Sequence, residues 1–78
     1  MLKLHVVTAD TRQELGDVAA VRCSTDDGPV KILPHHALLV TMLNPGKLYA
    51  VRADGVKSFE ISSPGLLRVE RNVVTVIS

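Results

Sequence analysis

The sequence predicts an all-β domain, a meandering sandwich or barrel, on three observations. Twenty of the 78 residues are β-branched, twelve valines, three isoleucines and five threonines, and such side chains suit a pleated surface. Short runs in which apolar and polar residues alternate recur along the chain, the period-two pattern of a strand with one face buried. Turn-forming clusters separate most of these runs at intervals of roughly eight to twelve residues.

The elements follow in order. Leu2, Leu4 and Val6 alternate with Lys3, His5 and Val7 and make an opening strand. Val18 to Cys23 reads as the next one. Asp17 has the chemistry of a helix cap, so a helix over Asp17 to Arg22 competes, with Gly16 and the Cys23-Ser24-Thr25 run favouring strand. Asp26-Asp27-Gly28-Pro29 is a turn, because its residues preset or tolerate turn dihedrals. Pro34 to Leu43 stays open between two readings: proline suits a first helical position, and Leu38, Leu39, Met42 and Leu43 share a helical face. After the Asn44-Pro45-Gly46 turn, Asp54-Gly55 is the strongest hairpin signal and pairs Leu48 to Ala53 with Val56 to Ile61, Gly55 taking positive φ. Ser63-Pro64-Gly65 and Arg71-Asn72 then delimit strands over Leu66 to Glu70 and Val73 to Ile77.

Composition excludes several classes of function. A length of 78 residues accommodates a single domain over 1–78, and the scaling of folded monomers gives a surface of roughly 4,600 Å². No apolar stretch approaches the ~20 residues of a membrane-spanning helix, and the opening residues lack a secretory signal, which gives a cytoplasmic reading. Nine basic against eight acidic residues leave a net charge of +1, too weak to attract nucleic acid or an anionic membrane by itself. Cys23 is the single cysteine; without C-x-x-C or zinc spacing it reads as a small strand side chain. His35-His36, with His5, Asp26 and Asp27, is the nearest approach to a metal-ligand set. Neighbouring residues of a strand face opposite ways, so the pair suits a turn or a contact better than a shared ion.

No nucleophile motif surrounds Ser58, Ser62, Ser63 or Cys23, and none of the five glycines builds a phosphate loop. No catalytic residue, metal or cofactor is therefore nominated. A small barrel binding single-stranded nucleic acid is the alternative function, but Tyr49 and Phe59 are the only aromatic residues, and both are expected in the core. The cations Lys47, Arg52, Lys57, Arg68 and Arg71 read as solvated edge charges that discourage wrong strand pairing.

The run from Gly28 to Gly46 resembles the epsilon-subunit family of F-type ATP synthases. That family carries G-x-x-G-I-L-P-G-H-A-P-L-L-T-x-L-x-P-G, and Gly28, Ile32, Leu33, Pro34, His36, Ala37, Leu39, Leu43, Pro45 and Gly46 fall in register with it. Leu4 to Thr8 looks like the family's opening strand, and Gly65 to Val69 with Asn72 to Val76 like its closing hairpin, so nearly the whole chain is covered. Lys31 and His35 stand where glycines are usual, Leu38 replaces a proline, and Ser63-Pro64 replaces a small or glycine pair. If the two glycine positions need positive φ, lysine and histidine are strained there by about 1 kcal/mol or more.

The resemblance implies a two-layer antiparallel β-sandwich of about ten short strands, which turns the Leu38 to Leu43 ambiguity towards strand. It implies a non-catalytic central-stalk subunit that couples proton-driven rotation of the membrane c ring to the gamma subunit and ATP synthesis. Carried over by position, Thr8, His36, Leu39 and Thr41 fall where the family meets gamma, and Asp26, Asp27, Gly28 and Pro29 fall in its c-ring loop. The expected partners are the gamma subunit and the c ring, with no nucleic acid and with membrane contact only through the complex. Because the sequence stops at Ser78, the two regulatory C-terminal helices of the family are expected to be absent. Helix-mediated inhibition and a nucleotide site on that arm would be absent with them.

Overall fold

The computed structural model describes residues 1–78. They form eight strands: β1 Leu2–Val7, β2 Arg12–Thr25, β3 Gly28–Ile32, β4 Leu39–Leu43, β5 Gly46–Arg52, β6 Gly55–Ile61, β7 Gly65–Glu70 and β8 Val73–Ile77. There is no helix: the first ambiguous stretch is strand throughout, and the second is strand only in its latter half. Asp17 to Arg22 lies inside β2, and Leu39–Leu43 makes β4 after an irregular Pro34–Leu38 segment. The all-β expectation holds, with eight strands where about ten were expected. The difference lies partly in β2, which at 14 residues serves both layers as one element.

β2 organises the molecule. Its first half pairs with β1, its second half lies between β3 and β5, and its last residue, Thr25, pairs with Leu43 of β4. An extra residue on β2 interrupts each ladder, once opposite Leu2–Leu4 and once opposite Val51–Arg52. Such bulges bend and coil a strand. Asp17, at φ 52, lies at the first of them. At the second bulge the buried side chains change phase, from Val18 and Ala20 to Val21, Cys23 and Thr25. One layer is therefore β4–β7–β8–β1–β2 and the other β3–β2–β5–β6, with β2 common to both.

The hydrogen-bonded path from β2 through β1, β8, β7 and β4 returns to β2 at Thr25. Asp26 N–H donates to the Met42 carbonyl at 3.3 Å and Asn44 N–H to the Ser24 carbonyl at 2.9 Å, which ties this closure. One pair departs from the antiparallel expectation: β1 and β8 run parallel, Lys3 to Val7 alongside Val73 to Ile77. Parallel neighbours need a long crossover, and here the rest of the chain supplies it.

The faces turned towards each other enclose Leu2, Leu4, Val18, Val21, Ile32, Leu43, Leu48, Leu67, Val69, Val74 and Val76, each at most 1% exposed. The Cα extents of 28 × 25 × 17 Å leave room for two sheets about 10 Å apart and no third layer. The accessible surface of 4811 Å² is close to the free-monomer expectation.

The turns follow the sequence signals with small shifts. Ala53-Asp54 occupies the β5–β6 turn, one residue earlier than expected, and Gly55 takes its positive φ of 136 just after it. Arg71 and Asn72, at φ 50 and 62, form the β7–β8 turn. The two departures from the family's glycines part company. Lys31 is ordinary extended strand opposite Arg22, whereas His35 does sit at φ 67. Its backbone N–H donates to Asn72 Oδ1 at 2.6 Å, an interaction that offsets the strain and anchors the β3–β4 connection to the β7–β8 turn.

Candidate functional site

The outward face of the β4–β7–β8–β1 layer carries several of the exposed large apolar side chains. Paired residues point the same way, so register defines its rows: Met42 beside Leu66, Leu66 beside Ile77, Ile77 beside Val7. The neighbouring row runs Val40, Arg68, Thr75, His5, Glu14. Leu38 is 67% exposed, Val40 57%, Ile77 51% and Met42 47%. Its polar members pair among themselves, Arg68 with Glu70 at 2.6 Å and His5 with Glu14 at 3.4 Å. An apolar row of this kind, bordered by polar groups, is the candidate interaction surface.

The four residues expected at the gamma contact frame this face without meeting in one spot. Thr8 caps the end where β1 stops and β8 finishes, its Oγ1 sharing a 2.9 Å hydrogen bond with Thr11 Oγ1. His36 is at the opposite end, in the segment before β4, its Nδ1 2.7 Å from the Ala37 carbonyl. Strands of this length separate the two ends by roughly 17–20 Å. Leu39 and Thr41 lie between them but pair with the buried Val69 and Leu67, so they are half-buried on the inward side of β4. The side chains that β4 turns outward are Val40 and Met42, which sequence reasoning missed. The signal was present: Leu43 in the core sets the phase of the strand, and every second residue from Met42 back must face outward.

The turn expected to face the c ring is a compact hairpin. Thr25 pairs with Gly28, leaving Asp26 and Asp27 at the tip, and Gly28 takes φ 110. Thr25 Oγ1 donates to the Gly28 carbonyl at 2.9 Å and accepts from Asp27 N–H at 3.2 Å, which presets the turn. Asp26, Asp27 and Pro29 are exposed. Thr25 also pairs with Leu43, at the end of the layer where Gly65, Ile77 and Thr8 lie, so the hairpin projects from that end.

The sequence profile of the family described as "ATP synthase, Delta/Epsilon chain, beta-sandwich domain" matches residues 1–78, the entire chain. The chain belongs to that family. Among ATP synthase delta/epsilon relatives, the ATP synthase epsilon chain of Hydrogenovibrio crunogenus is 36% identical over 77 residues, covering 99% of this chain and 53% of the relative. That of Polaromonas naphthalenivorans is 34% identical over 77 residues, covering 99% and 56%. This delta/epsilon domain thus spans about half the length of the curated relatives it matches. The fold matches a chain of the Euglena gracilis mitochondrial ATP synthase, solved as OSCP/F1/c-ring, at a TM-score of 0.80 and 25% identity, covering 99% of this chain and 49% of that one. A chain of the Tetrahymena thermophila mitochondrial ATP synthase central stalk and c ring shares the fold at a TM-score of 0.78 and 15% identity, covering 97% and 61%.

Within this delta/epsilon sandwich, chemistry at single residues is sparse. No group of three or more His, Cys, Asp or Glu side chains is placed to hold a metal ion. Phe59 is buried as expected, but Tyr49 is 38% exposed and points out of the second layer, a correction to its core assignment. Its partners explain this: Tyr49 sits opposite the exposed Arg22, whereas its neighbours Leu48 and Ala50 take the inward places.

Cys23 is 7% exposed on β2, and burial pushes its thiol up to about 11 from an ordinary 9.0. The folded chain therefore keeps its proton where the unfolded chain loses it. This contribution to stability is complete below about pH 9 and is lost as pH rises towards 11. Denaturant titrations should show a loss of roughly 2–3 kcal/mol across that window, and Cys23→Ser should reduce the slope.

Proposed function

We propose that this chain is the non-catalytic rotor module of an F-type ATP synthase central stalk. It docks on the gamma subunit through the outward face of the first layer and on the c ring through the Asp26–Pro29 hairpin. Ring rotation driven by protons is thereby passed to gamma and to ATP synthesis. The observation that carries this reading is the exposed apolar face in a chain whose family is that of the ATP synthase delta/epsilon subunits. The framing residues Thr8 and His36, with Leu39 and Thr41 beneath, are assigned to the gamma contact, and Asp26, Asp27, Gly28 and Pro29 to the ring. Contact with the membrane is through the complex, on its cytoplasmic side.

The geometry suits a mechanical part. The hairpin projects from one end of the sandwich and the apolar face occupies its flank, with Thr8 at the end they share. Force entering at Asp26–Pro29 passes into β2, which is bonded to β1, β3, β4 and β5. The closed path of strands converts a push on the hairpin into displacement of the whole layer, because sliding one strand would break ladder hydrogen bonds in several pairs together. No cofactor and no reacting group are needed for this role.

The purified chain mixed with gamma at micromolar concentration should co-elute on a sizing column and hydrolyse no ATP alone. Two separate peaks would sink the docking reading. His36→Ala should weaken the complex by roughly tenfold without changing the melting temperature; an unchanged affinity would make His36 a purely structural part of the β3–β4 segment.

A further inference from the structure

The outer face of the second layer carries a cationic feature that shares only Pro29 with the proposed ring-contacting hairpin. Arg22 of β2 lies directly opposite Lys31 of β3 on one side and Tyr49 of β5 on the other, and Lys47 projects from the same face. Together with Ser24 and Pro29 they line an open cleft of about 580 Å³. In a chain with nine basic and eight acidic residues overall, three of the nine converge here, and none of the eight residues lining the cleft is acidic.

Like charges directly opposite on neighbouring strands destabilise a sheet. No carboxylate lies within ion-pair distance of them: the Arg68–Glu70 ion pair and the His5–Glu14 contact both lie on the other layer. Glu60 faces Lys47 across the β5–β6 ladder, yet the two form no ion pair. Every polar side chain of the cleft, the guanidinium, two ammonium groups, the phenol and the Ser24 hydroxyl, donates hydrogen bonds. A guanidinium fork opposite one ammonium group, with a second ammonium on the same face, matches an oxyanion with several acceptor atoms, and the cleft volume lies within the range of small-ligand sites.

We propose that this cleft binds a phosphate group, carried by a small soluble anion or by a lipid headgroup, with Arg22 as the bidentate anchor and Lys31 and Lys47 as flanking charges. The site lies on the layer opposite the proposed gamma-docking face, so occupancy is compatible with that contact and the inference does not depend on it.

The test is a titration of the isotope-labelled chain with inorganic phosphate and with pyrophosphate, against chloride at matched ionic strength. Saturable amide shifts centred on Arg22, Lys31 and Tyr49 are expected. Arg22→Gln should weaken binding about tenfold or more, Lys31→Gln should weaken it less, and Lys3→Gln on the other layer should leave it unchanged. In the second arm, the chain is sedimented with phosphatidylcholine vesicles with and without phosphatidylglycerol. Sedimentation that needs the anionic lipid and Arg22, with no saturable binding of either soluble anion, identifies a headgroup; saturable binding of pyrophosphate alone identifies a soluble ligand. Absence of saturation in both arms, shifts scattered over the surface, or full binding by Arg22→Gln would overturn the proposal. So would capture of a glutamate-rich peptide or a single-stranded oligonucleotide in the absence of any phosphate or lipid binding.

Discussion

Gly65→Val is expected to destabilise this chain strongly. A Cβ at Gly65 would meet the backbone carbonyl oxygen of Ile77, and Ser78 Cβ lies 3.0 Å from the same point. The obstruction is main chain, so no rotamer change relieves it. β7 or β8 has to move, and with them the pairing of Leu66 with Ile77 and of Leu43 with Gly65. The cost is on the order of 3 kcal/mol, which lowers the melting temperature of a domain this size by roughly 12–24 °C. Gly16→Ala is the control. Nothing lies within 4 Å of a Cβ there, and the lower entropy of the unfolded chain should raise stability by up to about 1 kcal/mol. If thermal melting ranked the two variants equally, the close approach at Gly65 would not be a structural requirement.

The second large effect concerns association. Val40→Glu and Met42→Glu place a carboxylate in the middle of the exposed apolar face, at positions 57% and 47% exposed. Met42→Glu, opposite Leu66, should weaken binding to gamma by at least about thirtyfold, because a buried interface would have to desolvate an unpaired charge, and Val40→Glu, opposite Arg68, should weaken it less. Neither should change the melting temperature by more than about 0.5 kcal/mol equivalent, as the side chains touch little in the free chain. Calorimetric titration against gamma, with circular dichroism melts of each variant, separates the two effects. Wild-type affinity in both variants would remove the face from the docking surface and leave the β3–β4 segment around His36 as the remaining candidate. Thr41→Val tests the opposite side of the same strand, where a half-buried, inward-facing residue should alter stability more than affinity.

These two predictions draw on different kinds of information. Val40 and Met42 were legible in principle, since alternation along β4 is a local property and Leu43 reveals its phase. The family motif directed attention instead to Leu39 and Thr41, which share a strand with the exposed residues but face the other way. Gly65 was legible only as a turn signal. Its close approach to Ile77 arises from the β7–β8 pairing, which brings together residues far apart in sequence.

The amino-acid sequence by itself determined that the chain is built of strands and where most of them turn. β-branched residues, alternation and Asp, Asn, Gly or Pro at turn positions act through local sterics and hydrogen bonding, which a few neighbours suffice to set. It also carried the family assignment, because the Gly28–Gly46 run holds its spacing over 19 positions. Only the tertiary structure decided how the strands share neighbours. The parallel pairing of β1 with β8, the two bulges that carry β2 through both layers, the strained backbone of His35 against Asn72, and the meeting of Arg22, Lys31 and Tyr49 on one face all depend on contacts between distant segments. Their physical cause is register: a shift of one residue in any ladder exchanges the inner and outer faces of a strand, and burial of the shared apolar core selects one shift among them.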